Sequence, residues 1–95
     1  NDCLSSPRAM KIIFHKDFHK QYWKLSQGEK QKTDKRILLF EKDSFRPLLE
    51  DHALHGIYQG YRSINITGDL RAIYEEIDLG IVHFVALGTH SELYQ

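Results

Sequence analysis

A single cysteine, Cys3, stands among the 95 residues, so no disulfide can close within the chain. A reducing, cytoplasmic compartment is the corresponding expectation. No apolar run approaches the length of a membrane span, so no membrane is expected as a partner. An excess charge is missing too: 13 basic residues meet 13 acidic ones, which argues against coating nucleic acid by bulk charge. Internal repeats and low-complexity stretches are also lacking. What remains is 41% hydrophobic and 12% aromatic content, that of a folded domain rather than a disordered chain. The length allows one domain and one modest core.

The balanced charge is unevenly spread. Lysine is frequent between His15 and Arg36, whereas Glu50–Asp51 and Glu75–Asp78 are acidic. The stretch Asn1–Ala9 has no periodicity and precedes Met10, and reads as a disordered or added extension, with the domain spanning residues 10–95.

Lys11–Phe14 is a short β-type run. Phe18, Tyr22 and Leu25 recur at helical spacing after Asp17, which predicts a helix over Lys16–Leu25. Ser26–Gly28 breaks it, and a second helix is expected from about Glu29 to Lys42. That helix would bury Ile37, Leu38 and Phe40 and offer Lys32, Lys35 and Arg36 to solvent. An irregular stretch then runs to Gly60. Tyr61–Thr67 alternates, Gly68-Asp69 has the composition of a two-residue hairpin turn, and Leu70–Ile77 returns. After Asp78–Gly80 comes Ile81–Leu87, the most apolar segment and the expected central strand, followed by a short helical turn at Ser91–Tyr94. The order β-α-α-β-β-β predicts an α+β domain, a twisted and mainly antiparallel sheet with a helical hairpin on one face.

Period-two geometry sorts the strand residues. Tyr61, Ser63, Asn65 and Thr67 share one face, and Arg62, Ile64 and Ile66 the other. Arg71 lies with Ile73, while Leu70, Ala72 and Tyr74 point oppositely. Which face meets the helices stays open on pattern alone. Histidines are frequent for the length, and histidine is the side chain best suited to proton transfer near neutral pH. His90 follows the last strand at a Gly-Thr bend, and His52 lies within the irregular LLEDHALHG segment, next to Glu50 and Asp51. His15 and His19 are four apart, the spacing of a two-histidine metal face, yet no carboxylate or cysteine accompanies them at diagnostic spacing. They read as solvated, and His83 as a core or edge residue. Neither metal nor cofactor is expected.

Three segments, DHALHG, GYRSINITGDLRAIY and ALGTHSELY, occur in this order. Together they resemble the RelE/ParE superfamily of toxin–antitoxin toxins, most closely its YafQ-like branch, with its DHxLxG element, its GYR strand leading to an Asp after the turn, and its GTHxxL(F/Y) ending. The resemblance spans Met10 to Gln95. It implies a RelE-like fold, ribosome-dependent cleavage of mRNA, neutralisation by a cognate antitoxin, and contact with operator DNA only through that antitoxin.

Carried over by position, His52 matches the DHxLxG histidine, Asp69 the acid after the turn, and Arg71 an arginine typical of the RelE and YoeB branches. His90 matches the GTH histidine and Tyr94 the terminal aromatic. Arg62 stands where relatives often carry a basic residue. Asn65 replaces a usual second histidine, and Leu70 a common aromatic. Cleaving RNA without a metal uses the 2′-hydroxyl as nucleophile. It requires a base, a cation for the phosphorane and an acid for the departing 5′-oxygen. On this resemblance His52, helped by Asp69, is the candidate base, Arg71 the cation and His90 the acid. Tyr94 would stack or orient, and Arg62, Asn65, Lys32 and Lys35 would hold substrate. Two other readings remain: a ParE-like gyrase inhibitor, which needs neither the GTH histidine nor an acid/base pair, and a weakened toxin acting as a co-repressor.

Overall fold

Two residues outside the helices decide where the helices begin. His15 precedes helix α1 (Lys16–Trp23), and its Nδ1 accepts the Asp17 backbone N–H at 3.0 Å. It therefore caps the helix rather than sharing a helical face with His19. At the far end Lys24 N–H reaches the Gln21 carbonyl and Leu25 N–H the Tyr22 carbonyl, a tightened last turn that stops the helix at Trp23.

Ser26 then caps helix α2 (Gln27–Lys42). Its Oγ accepts from Glu29 N–H at 3.2 Å, and Glu29 Oε1 accepts from Ser26 N–H at 3.1 Å. This reciprocal capping box starts the helix earlier than the glycine suggests, so Gly28 lies in its first turn instead of in a linker. Replacing Ser26 with Ala is expected to cost about 1 kcal/mol, read as a shifted denaturant midpoint at unchanged slope.

The computed structural model describes residues 11–43, 45–89 and 93. The expected N-terminal extension, His90, Tyr94 and the turn around them lie outside the described residues, apart from Leu93. Among the described residues the sheet has five strands in the order β1-β5-β4-β3-β2. These are β1 (Lys11–Phe14), β2 (His52–Ala53), β3 (Arg62–Asn65), β4 (Leu70–Asp78) and β5 (Ile81–Thr89). Strand β1 joins β5 in parallel, and every other pairing is antiparallel.

Strand β5 is interior as expected, but β4 holds the middle position. Strand β2 was not visible in the sequence; it lies within the stretch read as irregular. Beyond the end of β1, the Leu87 N–H donates to Gln21 Oε1 at 2.7 Å, so a helix side chain continues the ladder that β1 leaves off.

Both helices cover the face formed by Ile64, Leu70, Ala72, Tyr74, Val82, Phe84 and Leu87, together with Phe18, Phe40 and Leu49. Phe84 is fully buried at the centre, with ring centroids of Phe18, Phe40 and Tyr74 at 5.7, 5.5 and 5.3 Å. Leu38 does not join this core, being 57% exposed, whereas Thr33 is fully buried. Thr33 Oγ1 donates to the Glu29 carbonyl at 2.8 Å, which removes the cost of burying its hydroxyl.

On the outer face Leu54, Ile73 and Leu93 form a smaller cluster with Tyr58, Tyr61, Val85 and Ala86. A bulge makes this division possible. Ile73 pairs with Ala86 but Tyr74 with Phe84, so Val85 is an extra residue on β5. Phe84 and Leu87, three apart, thus share the helix face.

The β3–β4 connection is wider than a two-residue turn. Asn65 opposes Arg71, and both Ile66 and Thr67 N–H groups bond the Leu70 carbonyl. Thr67 Oγ1 accepts from Leu70 N–H at 3.1 Å, and Ile66 is fully buried. Anchored from both ends, the loop has no need of a primed turn, and Gly68 is not among the glycines with positive φ.

Candidate active site

Three antiparallel strands each contribute a polar side chain to one spot on the outer face. His52 opposes Ser63 across β2 and β3, while Ser63 opposes Ile73 and Asn65 opposes Arg71 across β3 and β4. Opposed residues project to the same side, so His52, Ser63, Asn65 and Arg71 share the face away from the helices.

Arg71 is the centre of the group. Its Nε donates to Ser63 Oγ at 2.9 Å, and one Nη donates to the Glu50 carbonyl at 3.2 Å. The same Nη lies 3.4 Å from His52 Nδ1, and the other is 3.9 Å from the Glu50 carboxylate. Its side chain is 12% exposed, held against the sheet, whereas that of Glu50 is 67% exposed.

His52 Nδ1 is 2.9 Å from the Glu50 carbonyl. A carbonyl only accepts and a guanidinium only donates, and the carbonyl is the nearer of the two at 2.9 Å against 3.4 Å. In the neutral ring we therefore assign the proton to Nδ1, and the Arg71 Nη is then a neighbour rather than a hydrogen-bond partner. That leaves Nε2 with its lone pair on an exposed imidazole. The Glu50 carbonyl is aimed at both side chains because Glu50 adopts φ 48°, ψ 45°, a left-handed conformation uncommon for a non-glycine residue.

Ser63 was not singled out as a site residue, although its place on the strand was legible. It is fully buried, and a buried hydroxyl needs a partner; Arg71 Nε is that partner. Glu50 was likewise missed as a site residue, since its contribution comes mainly from its backbone.

The remaining expected residues are distributed differently. Asp69 is exposed in the loop that leads into β4, and its carboxylate makes no ion pair among the described residues. Asn65 faces the site, while its carbonyl accepts from an Arg36 Nη at 3.3 Å. Arg62 does not face the site. It opposes Tyr74, projects toward the helix side, and donates through Nε to Asp51 Oδ1 at 2.8 Å. Lys32 and Lys35 are exposed on α2, across the sheet from Arg71. His90 and Tyr94 lie outside the described residues; the backbone pair Leu70–Thr89 places the residue preceding His90 beside the start of β4. Among the described residues no three His, Cys, Asp or Glu side chains gather to hold a metal. His83 is half-buried, with Nδ1 3.6 Å from Glu75 Oε2.

Asp51 accepts a second hydrogen bond, a short one, from the Tyr74 hydroxyl. Burial, and then the Asp51 carboxylate, raise the pKa of the Tyr74 phenol well above its ordinary value, and the Arg62 guanidinium opposes them in part. Because the folded-state value lies above the unfolded one, the stability due to the neutral phenol is complete below the unfolded value of about 10. It is lost as pH climbs from there toward the folded-state value. Thermal melts across that alkaline range should therefore fall steeply for the native chain and less steeply for Tyr74→Phe.

Residues 10–95 match the family described as bacterial toxin of type II toxin–antitoxin system, YafQ. No curated protein matches the chain. Among solved structures, the toxin of the E. coli DinJ–YafQ toxin–antitoxin complex is 25% identical at a TM-score of 0.72, over 93% of this chain and 100% of that one. A copper-bound variant toxin from Helicobacter pylori is 28% identical at a TM-score of 0.71, over 90% of this chain and 99% of that one. The archaeal RelE–RelB complex from Pyrococcus horikoshii has the same fold at 17% identity and a TM-score of 0.70, over 86% of this chain and 96% of that one.

Proposed function

The chain belongs to the YafQ family of bacterial toxins of type II toxin–antitoxin systems, and from that premise we propose that it is an endoribonuclease acting on translated mRNA. The observation that carries this reading is the His52–Arg71 pair, a proton acceptor and a fixed cation on one sheet face, both positioned by the Glu50 carbonyl.

The chemistry follows from these groups. His52 Nε2 takes the proton of a 2′-hydroxyl, whose oxygen attacks the adjacent phosphorus. The charge gathering on the non-bridging oxygens falls to Arg71, whose guanidinium keeps its charge at all working pH and bonds phosphate through a planar fork. The bond to the 5′-oxygen breaks, and that oxygen needs a proton, the role we give His90. To Asp69, exposed in the loop that leads into β4, we give the support of the base that the resemblance implies. A substrate phosphate would replace the weak contact between Arg71 and the exposed Glu50 carboxylate.

Neither Lys32 nor Lys35 is on this face, so we give them docking to the ribosome rather than holding the scissile phosphate. The chain is overall neutral, which suits an enzyme whose substrate is delivered in a fixed geometry by a larger particle. We further propose a cognate antitoxin as partner, with operator DNA reached only through it. This is in keeping with the DinJ–YafQ and RelE–RelB complexes.

The test is induction under tight control with two reporters that differ only in a start codon. New RNA ends confined to the translated reporter are expected. Cuts in both would remove the ribosome from the mechanism. Uncut RNA together with inhibited gyrase supercoiling would replace the reading by the ParE-like one.

A further inference from the structure

Strand β2 is two residues long, lies at the sheet edge and, among the described residues, pairs through His52–Ser63 and Ala53–Arg62, with the Leu54 N–H donating to the Tyr61 carbonyl at 2.9 Å just beyond. A strand this short, with both residues exposed, has little of its own to fix its place. Yet it carries His52. The residue before it, Asp51, projects to the opposite side of the sheet, where its carboxylate is 13% exposed. There Asp51 Oδ1 accepts from Arg62 Nε on β3 at 2.8 Å, and Oδ2 accepts from the Tyr74 hydroxyl on β4. Tyr74 is in turn 5% exposed, with its ring 4.8 Å from that of Phe40. Asp51 thus ties the edge strand to two other strands and, through Tyr74, to the rigid core.

We propose that Asp51 is a positioning residue: clamped by Arg62 and Tyr74 on the helix side of the sheet, it holds β2 in register so that His52 on the other side meets Arg71 and the Glu50 carbonyl. In its kinetic consequence the proposal rests on the nuclease reading; in its structural consequence it does not. The carboxylate accepts from two donors on two strands, which a neutral side chain reproduces poorly. Without it, the two backbone pairs of β2 and the Leu54–Tyr61 hydrogen bond are left to set a ring whose orientation decides which nitrogen is free. Misplacing a catalytic group by an ångström lowers rates by up to about 10²-fold.

Two measurements on the full chain test this. Imidazole nitrogen NMR of Asp51→Asn is expected to show His52 passing from one tautomer to a mixture, while the amide signals of α1 and α2 stay in place. Unchanged His52 resonances would overturn the positioning role whether or not the protein cuts RNA. In the cleavage assay, Asp51→Asn should lower the rate in the native background and change nothing further in a His52→Ala background, since its effect passes through His52. Equal losses in both backgrounds would mean that Asp51 only stabilises the fold, and would sink the proposal. Should Asp51→Asn fail to fold, Tyr74→Phe removes one of the two donors and keeps the ring. It should shift the His52 tautomers in the same direction and by less, and an unmoved spectrum counts against the clamp. A native chain that cuts nothing would end the nuclease reading and leave the tautomer result standing by itself.

Discussion

Arg71→Ala is expected to lower message cleavage by about 10²–10³-fold, the loss seen when one preorganised donor to a developing oxyanion is removed. The reason is specific to the position. Arg71 is bonded to Ser63 Oγ and the Glu50 carbonyl before any substrate arrives, so its guanidinium need not reorganise as the phosphorane forms. Arg71→Lys separates charge from geometry. An ammonium keeps the charge but cannot bond Ser63, Glu50 and a phosphate oxygen in one plane, so most of the loss should persist. Single-turnover rates on a translated reporter measure this directly, with release from growth arrest as the cellular counterpart. Full activity in both variants would remove Arg71 from the mechanism.

The second large effect belongs to His52. General-base catalysis contributes about 10²–10⁴-fold, and both His52→Ala and His52→Gln should lose it. Glutamine fills much of the same space and can still bond a carbonyl, but it cannot take a proton. A rate for the glutamine variant close to native would therefore assign His52 a purely structural role. Comparison with Asp69→Asn then divides the labour: a larger loss at Asp69 would make the exposed carboxylate the base and the imidazole its neighbour.

Much of this arrangement was legible beforehand, for a physical reason. Long segments with a strict period declare themselves: Phe18 and Tyr22 mark a helix face, and the alternation through Leu70–Tyr74 set Arg71 on the side opposite Leu70, Ala72 and Tyr74, leaving open which side meets the helices. Ser63 was grouped with Asn65 on one face as well, but its importance depends on burial, which a single strand cannot reveal.

Strand β2 was hidden because two residues have no period, and because side chains from other strands help to hold it. Glu50 was hidden because its part is played mainly by a carbonyl, and a carbonyl has no letter in the sequence. Arg62 and Arg71 look equivalent as basic residues near a turn, yet they sit on opposite sides of the sheet, and only register separates them. Asp51, adjacent to His52, invites the reading that it faces the imidazole; alternation along the strand turns it away.

The parallel pairing of β1 with β5 has a consequence for how the molecule is made. The first strand cannot find its partner until the last has been synthesised, and the central ring of the core, Phe84, arrives only with that strand. A nascent chain stopped before it holds the β2–β3–β4 part of the sheet without Phe84, and the contacts that close the domain, between β1 and β5, have the longest sequence separation in the fold. Chains truncated before β5 are therefore expected to be digested faster than the whole domain, which limited proteolysis of such fragments would check.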